Sequence, residues 1–165
     1  NAGATNALRI LGARSGILVF IGDTLKGYFS LYLCNLLLSY QENLLFLPSD
    51  YLFLSLIFSL IGHCYPIWFN FRGGKGAATA LGAFLFINPY FALFPIIGFL
   101  VVFLISRFVG FSTISAFFIL FLQTFFIDHG IHHNFHAFSL AIFLFIVYTH
   151  RSNIQSMFKG TEEKL

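Results

Sequence analysis

Between Gly76 and Arg107 the chain runs for thirty residues without a charged side chain. A chain with such a run has few ways to fold. As one α-helix it would be about 45 Å long, well beyond a bilayer hydrocarbon core of about 30 Å. Asn88-Pro89 interrupts the run, and Asn-Pro is a turn signal that steers the preceding residue away from helix. The reading is therefore two helices of about 18 and 25 Å, each short for a full span and tolerable where it packs against protein rather than lipid. Further apolar blocks cover 15–40, 51–68, 112–127 and 137–149, separated by short polar segments. Only 9% of residues are charged, against about 25% in a soluble domain. The chain reads as an all-α, polytopic membrane helical bundle, without a repeat or disordered linker and as one domain over 1–165.

Charge placement favours the break at Asn88-Pro89. With it there are six crossings, and Arg9, Arg14, Arg72, Lys75, Arg107, Arg151, Lys159 and Lys164 all fall on one side. The other side carries Glu42, Asp50 and Asp128 and no Lys or Arg. With a single long helix Arg107 would change sides. The positive-inside rule puts both ends in the cytoplasm, together with the polar segments 1–14, 69–76, 106–111 and 150–165.

The most unusual of these segments is "FRGGKGAATALG". Glycines let main-chain N–H groups converge, the start of a helix adds free donors and positive potential, and Arg72 and Lys75 add charge. The stretch reads as an anion cradle. It is no Walker A loop, because the required first glycine would fall on Phe69. A basic juxtamembrane loop resting on anionic lipid head groups would look the same. "NAGATNALR" has a similar character, with Thr5 or Asn6 also able to cap the helix that follows. Two such segments on one face suit a ligand with several anionic groups, or two anionic ligands.

Other polar residues carry weaker signals. Cys34 and Cys64 sit in apolar surroundings and read as small hydrophobes. Asp23 and Lys26 lie three apart inside the first block and read as a mutual ion pair facing the bundle interior. His129, His132, His133 and His136 lie across the membrane from the glycine segments and read as a polar loop, not a metal site. His63, near the cytoplasmic end of its block, is a possible general base or an orienting residue.

Three motifs in order carry a resemblance along nearly the whole chain. "NAGATNALRILGARSGILVFIGDTLKG" is similar to the "SGN-x-GATN-x-x-R" loop and "D-x-x-KG" helix of the bacterial acyl-phosphate:glycerol-3-phosphate acyltransferases, the PlsY family. "GHCYPIWFNFRGGKGAATALG" resembles the family's "GH-x-x-P…F-x-GGKG-x-AT" region, and "HRSNIQSMFKGTEEKL" its "HR-x-NI-x-x-x-x-x-G-x-E" tail. The family has seven spans, so the expectation is a chain lacking the first span and the motif's leading Ser-Gly, and with them its activity. Gly110 stands where the family commonly has serine in "RYVS", which removes a hydroxyl or leaves its task to Ser112.

The resemblance implies the chemistry. The 1-hydroxyl of glycerol 3-phosphate attacks a long-chain acyl phosphate, giving 1-acylglycerol 3-phosphate (lysophosphatidic acid) and phosphate, in membrane phospholipid biosynthesis. No cofactor or metal is implied, and a substrate phosphate is the expected base. No histidine is followed five residues later by aspartate, so the HxxxxD dyad of acyl-CoA-type acyltransferases is missing. The implied roles put glycerol 3-phosphate on Gly73, Gly74, Lys75 and Gly76. Asn1, Thr5, Asn6 and Arg9 would hold the acyl phosphate or the developing oxyanion. His63, Arg107, Ser112, His150 and Asn153 would line the pocket, while Gly160 and Glu162 shape the tail and Asp23 and Lys26 serve structure. The expected setting is the bacterial inner membrane, multi-pass, among membrane lipids, with the site facing the cytoplasm. The alternative is a transporter or channel for a phosphorylated metabolite; flux into sealed vesicles would reveal a carrier, and phosphate release from acyl phosphate an enzyme.

Overall fold

A computed structural model describes residues 3–41, 48–126 and 135–165 of the chain. Among these residues there are eight α-helices and no strand: α1 (Ala4–Leu11), α2 (Ala13–Leu38), α3 (Pro48–Cys64), α4 (Ala77–Ile87), α5 (Pro89–Ser106), α6 (Val109–Gln123), α7 (Phe135–Thr149) and α8 (Arg151–Phe158). A 3-10 turn, Ile67–Phe69, follows α3. The chain groups into two compact units, Asn1–Pro89 and Tyr90–Leu165.

The division falls at the expected break. Asn88 is extended, with φ −165° and ψ 117°, and its N–H closes α4 on the Phe84 carbonyl at 3.0 Å. Pro89 then opens α5 at the first helical position, where its missing N–H costs nothing. Helices α2 to α7 correspond to the six apolar segments of the sequence. By length and composition three regions can cross a membrane unaided: α2, α3 with its following turn, and α5. Helices α7 and α8 meet that test only together, as a pair bent by 57°. Because α4 and α6 are shorter, with 11 and 15 residues, length alone carries three or four crossings, and the number six rests on the charge pattern.

In the first unit the chain leaves α1 at Gly12, whose φ of 86° suits glycine. Gly16 then lies against Leu8: a Cβ there would sit 2.7 Å from the Leu8 Cβ. Helices α2 and α4 approach until Gly27 meets the Thr79 carbonyl and Gly82 the Thr24 carbonyl, each too close for a methyl group. Small residues at a crossing are how membrane helices gain packing without a hydrophobic drive. Leu31, Leu56, Leu60, Ala80, Ala83 and Phe84 fill the interior here, all at most 1% exposed. Ser30 and Ser55 join α2 to α3 through hydroxyls 3.1 Å apart, and the Cys34 thiol donates weakly to the Tyr51 carbonyl at 3.6 Å.

The second unit solves a backbone problem. Pro95 lies inside α5 and has no N–H for the Phe91 carbonyl four residues earlier. Gln123, buried at the end of α6, donates its side-chain amide to that carbonyl at 2.9 Å. In lipid such a group must be satisfied by protein. Phe91 also packs on Phe135, ring centroids 4.9 Å apart, and Gly98 of α5 meets Ile119 of α6. His136 bonds the Thr124 hydroxyl at 2.9 Å and stacks on Phe125. Of the four histidines expected in a polar loop, His136 is thus part of a helix and packed against an aromatic ring. His129, His132 and His133 lie outside the described residues, as does Asp128.

Candidate functional site

The glycine segment of the first unit is held by backbone. Helix α3 ends at Cys64, and the chain makes a turn before coming back. The Gly73 N–H donates to the Cys64 carbonyl at 3.0 Å and the Gly74 N–H to the His63 carbonyl at 3.2 Å. Both glycines are required by space. A Cβ at Gly73 would run into the His63 carbonyl, and one at Gly74 into the His63 Nε2. Gly76 is required by conformation: it caps α4 in the left-handed region, φ 84° and ψ −7°. No side chain caps this helix start, so its first-turn N–H groups have no intrahelical acceptor. Lys75 is half-buried between them, whereas Arg72 is exposed.

Beside this segment sits a buried carboxylate. Asp23, one turn before Gly27 on α2, is only 4% exposed. One of its oxygens lies 2.8 Å from the Lys26 ammonium and 3.6 Å from His63 Nδ1. The expected Asp23–Lys26 pair forms, but it is lopsided: the Lys26 side chain is 64% exposed, so only the acid faces inward. Sequence reasoning missed His63 as the second partner of Asp23. The two are forty residues apart, and only the packing of α2 on α3 joins them. Asp23, His63 and Gly74 form a line: carboxylate at Nδ1, glycine at Nε2. With Asp23 on its Nδ1 side and Gly74 on its Nε2 side, His63 is placed to orient the loop.

Helix α1 carries Thr5, Asn6 and Arg9. Neither Thr5 nor Asn6 caps a helix, contrary to the sequence reading. Both lie inside α1, whose N-cap is Gly3 without a side-chain bond. Thr5 and Asn6 are half-buried, while Arg9 is exposed in the last turn, where a cation suits the helix dipole. Asn1 lies outside the described residues.

The second unit gathers its polar residues differently. Arg107 ends α5 with a left-handed φ of 63°, uncommon for a residue with a side chain. Its N–H reaches the Phe103 carbonyl at 2.8 Å, and its own carbonyl accepts the Leu165 N–H at 3.1 Å. The tail comes back because Gly160, φ 68°, turns α8 off. The Thr161 N–H bonds the Ser156 carbonyl at 2.9 Å and the Gly160 N–H the Met157 carbonyl at 3.1 Å, the paired bonds of a Schellman motif. Glu162 then accepts from the Asn153 amide at 2.6 Å. Gly110 makes room for that amide: a Cβ at 110 would sit 2.8 Å from the Asn153 Cβ.

Ser112 and His150 are the buried members. Ser112 is fully buried and donates its hydroxyl to the Phe108 carbonyl at 2.7 Å. That hydroxyl is committed to its own helix and cannot also donate where a serine at position 110 would have. His150 is 4% exposed at the corner between α7 and α8, with Nδ1 2.8 Å from the Ile146 carbonyl, so that nitrogen carries the proton.

Residues 1–160 match the family described as glycerol-3-phosphate acyltransferase. The chain belongs to the glycerol-3-phosphate acyltransferase family. It is 38% identical to the glycerol-3-phosphate acyltransferase of Fusobacterium nucleatum subsp. nucleatum over 164 residues, covering 99% of the chain and 79% of that protein. Against the Geobacillus kaustophilus enzyme the identity is 38% over 165 residues, covering all of the chain and 78% of the relative. The fold is similar to crystal structures of PlsY, an integral membrane glycerol 3-phosphate acyltransferase. Its glycerol 3-phosphate form superposes with a TM-score of 0.84 at 36% identity, over 99% of the chain and 77% of PlsY. The lysophosphatidic acid form gives 0.83 at the same identity. With its apolar helices, the chain is thus a multi-pass membrane protein of this acyltransferase family.

Proposed function

We infer that the chain transfers an acyl group to glycerol 3-phosphate, with an acyl phosphate as donor. The reading is supported most by the glycine segment, in a chain of this family: Gly73 and Gly74, their N–H groups bonded to Cys64 and His63, fix the loop, and a left-handed Gly76, an uncapped α4 start and Lys75 offer a cradle for a phosphate dianion. In the proposed reaction the 1-hydroxyl oxygen attacks the acyl carbonyl carbon, the carbon–oxygen bond to phosphate breaks, and the hydroxyl proton passes to a phosphate oxygen. An acyl phosphate is a mixed anhydride with a good leaving group. Positioning and stabilisation of the oxyanion then carry most of the acceleration.

Gly73, Gly74, Lys75 and Gly76 would hold glycerol 3-phosphate, and Asp23 with His63 would keep that loop in place. Asn1, Thr5, Asn6 and Arg9 would hold the acyl phosphate or the oxyanion. In the second unit Arg107 and Asn153 would bind phosphate oxygens, Ser112 and His150 would support them from within, and Gly160 and Glu162 would set the tail. The distribution of loop cations supports a cytoplasmic side of a bacterial inner membrane for these residues, and the product would be lysophosphatidic acid for phospholipid synthesis. The test is turnover by the purified chain in a defined lipid. Phosphate release from acyl phosphate that depends on glycerol 3-phosphate, with lysophosphatidic acid formed in equal amount, is expected. Passage of a phosphorylated metabolite into sealed vesicles without product would overturn the reading.

A further inference from the structure

The turn between α3 and the glycine segment has a feature that neither acyl transfer nor phosphate binding uses. The bonds from Gly73 to Cys64 and from Gly74 to His63 close residues 65–72 into an excursion with a fixed neck. Within it the N–H groups of Phe69, Asn70, Phe71 and Arg72 all donate to carbonyls of residues 66–69. Part of the backbone of the excursion is thus bonded within it. Its side chains do the reverse. Ile67 is 70% exposed, Trp68 89%, Phe69 69% and Phe71 60%. Asn70 and Phe71 also adopt left-handed φ of 52° and 58°, which side chains disfavour. A segment that turns four large apolar groups outward while bonding part of its backbone within itself is suited to the boundary between water and an apolar surrounding.

The occupant is the lipid of the bilayer. The excursion continues directly from the apolar α3, whose span-like character extends through Phe69. Tyr65 and Trp68 are of the type enriched where a bilayer meets water, and an exposed cation suited to lipid phosphates, Arg72, follows. We propose that residues 65–72 are an interfacial anchor that lays Ile67, Trp68, Phe69 and Phe71 into the boundary between head groups and acyl chains. Through the short neck the anchor holds the glycine segment at head-group depth. The proposal stands whichever anion that segment binds.

Trp68 is the single tryptophan of the chain, so its fluorescence reports this one place without substitution. The full chain would be reconstituted into phosphatidylcholine–phosphatidylglycerol vesicles. Their lipids would be brominated either near the head-group end of the acyl chain or near its terminal methyl, and iodide would be added to the water. Burial of about 5–10 Å, as for interfacial helices, predicts that the shallow bromines remove most of the emission, the deep ones much less, and iodide little. Iodide quenching close to that of free tryptophan would overturn the proposal by placing the turn in water. Insensitivity to every quencher would overturn it by showing a protein cover, such as a second copy. Stronger quenching by deep than by shallow bromines would overturn the interfacial placement.

Discussion

The glycine segment of the first unit and the tail of the second are both short and each turns on a left-handed glycine, Gly76 and Gly160, yet they are held by different forces. Around residues 73–76 the constraints are steric and main-chain: two carbonyl bonds, two glycines against His63 and one left-handed cap. Around residues 150–165 the constraints are individual side-chain bonds, chiefly Asn153 to Glu162, with a Schellman turn and the Leu165 contact to Arg107. The first arrangement has no slack, because each glycine excludes even a methyl. The second can lose a member and relax. A segment that must present backbone N–H groups to a phosphate needs the first kind of construction, since a displaced N–H cannot be replaced by a rotamer change.

The largest effect is therefore expected at Gly74. Gly74→Ala drives a methyl into the His63 ring and moves the loop. Losing one or two charge-assisted contacts, about 1.5–3 kcal/mol each, raises the apparent KM for glycerol 3-phosphate roughly ten- to a hundredfold. The KM for the acyl donor should change little, and steady-state kinetics in one fixed lipid reads both. A normal KM for glycerol 3-phosphate would dissolve the contrast between the segments.

Next comes Gln123→Leu, which removes the side-chain bond to the Phe91 carbonyl, the group that Pro95 cannot serve with an N–H. An unsatisfied buried carbonyl costs about 1–3 kcal/mol, so thermal unfolding in detergent should shift down while the KM values stay near normal. A Gly76→Ala change should fall close behind, since left-handed backbone costs a side chain about 1–2 kcal/mol. Its signature is again a raised KM for glycerol 3-phosphate. Asn at the same position, which tolerates this region better, should recover part of the loss.

The smallest effect sharpens the comparison from the other side. Glu162→Gln keeps an oxygen for the Asn153 amide and removes only the charge. The expected loss is about 1 kcal/mol or less, seen as a few-fold change in kcat/KM. A loss as large as that of Gly74→Ala would show that the tail is built as tightly as the loop.

Much of this was legible in the sequence because it follows from short-range rules. Thirty uncharged residues and an Asn-Pro pair dictate a break at residue 88, whatever surrounds them. The basic, glycine-rich "RGGKG" before "AATALG" marks a helix start that can face an anion, and the left-handed Gly76 lies within that stretch. Gly160 before Thr161 is a local helix stop. By contrast, nothing local in "NAGATNALR" revealed that α1 begins at Ala4, so that Thr5 and Asn6, left able to cap a helix, lie inside it.

What tertiary structure alone decided is which distant groups meet. Gly73 and Gly74 read as glycines needing unusual backbone, but they are glycines because His63 leaves no space for a Cβ. Asp23 reads as the partner of Lys26, yet its burial brings it to His63 as well. Gln123 carries no motif, and its task arises only because Pro95, on another helix, leaves a carbonyl without its donor. Local sequence sets what each backbone segment can do, since a turn or helix start depends on its own few residues. The satisfaction of a buried polar atom and the space beside a glycine depend on whatever packs there, and that is a property of the fold.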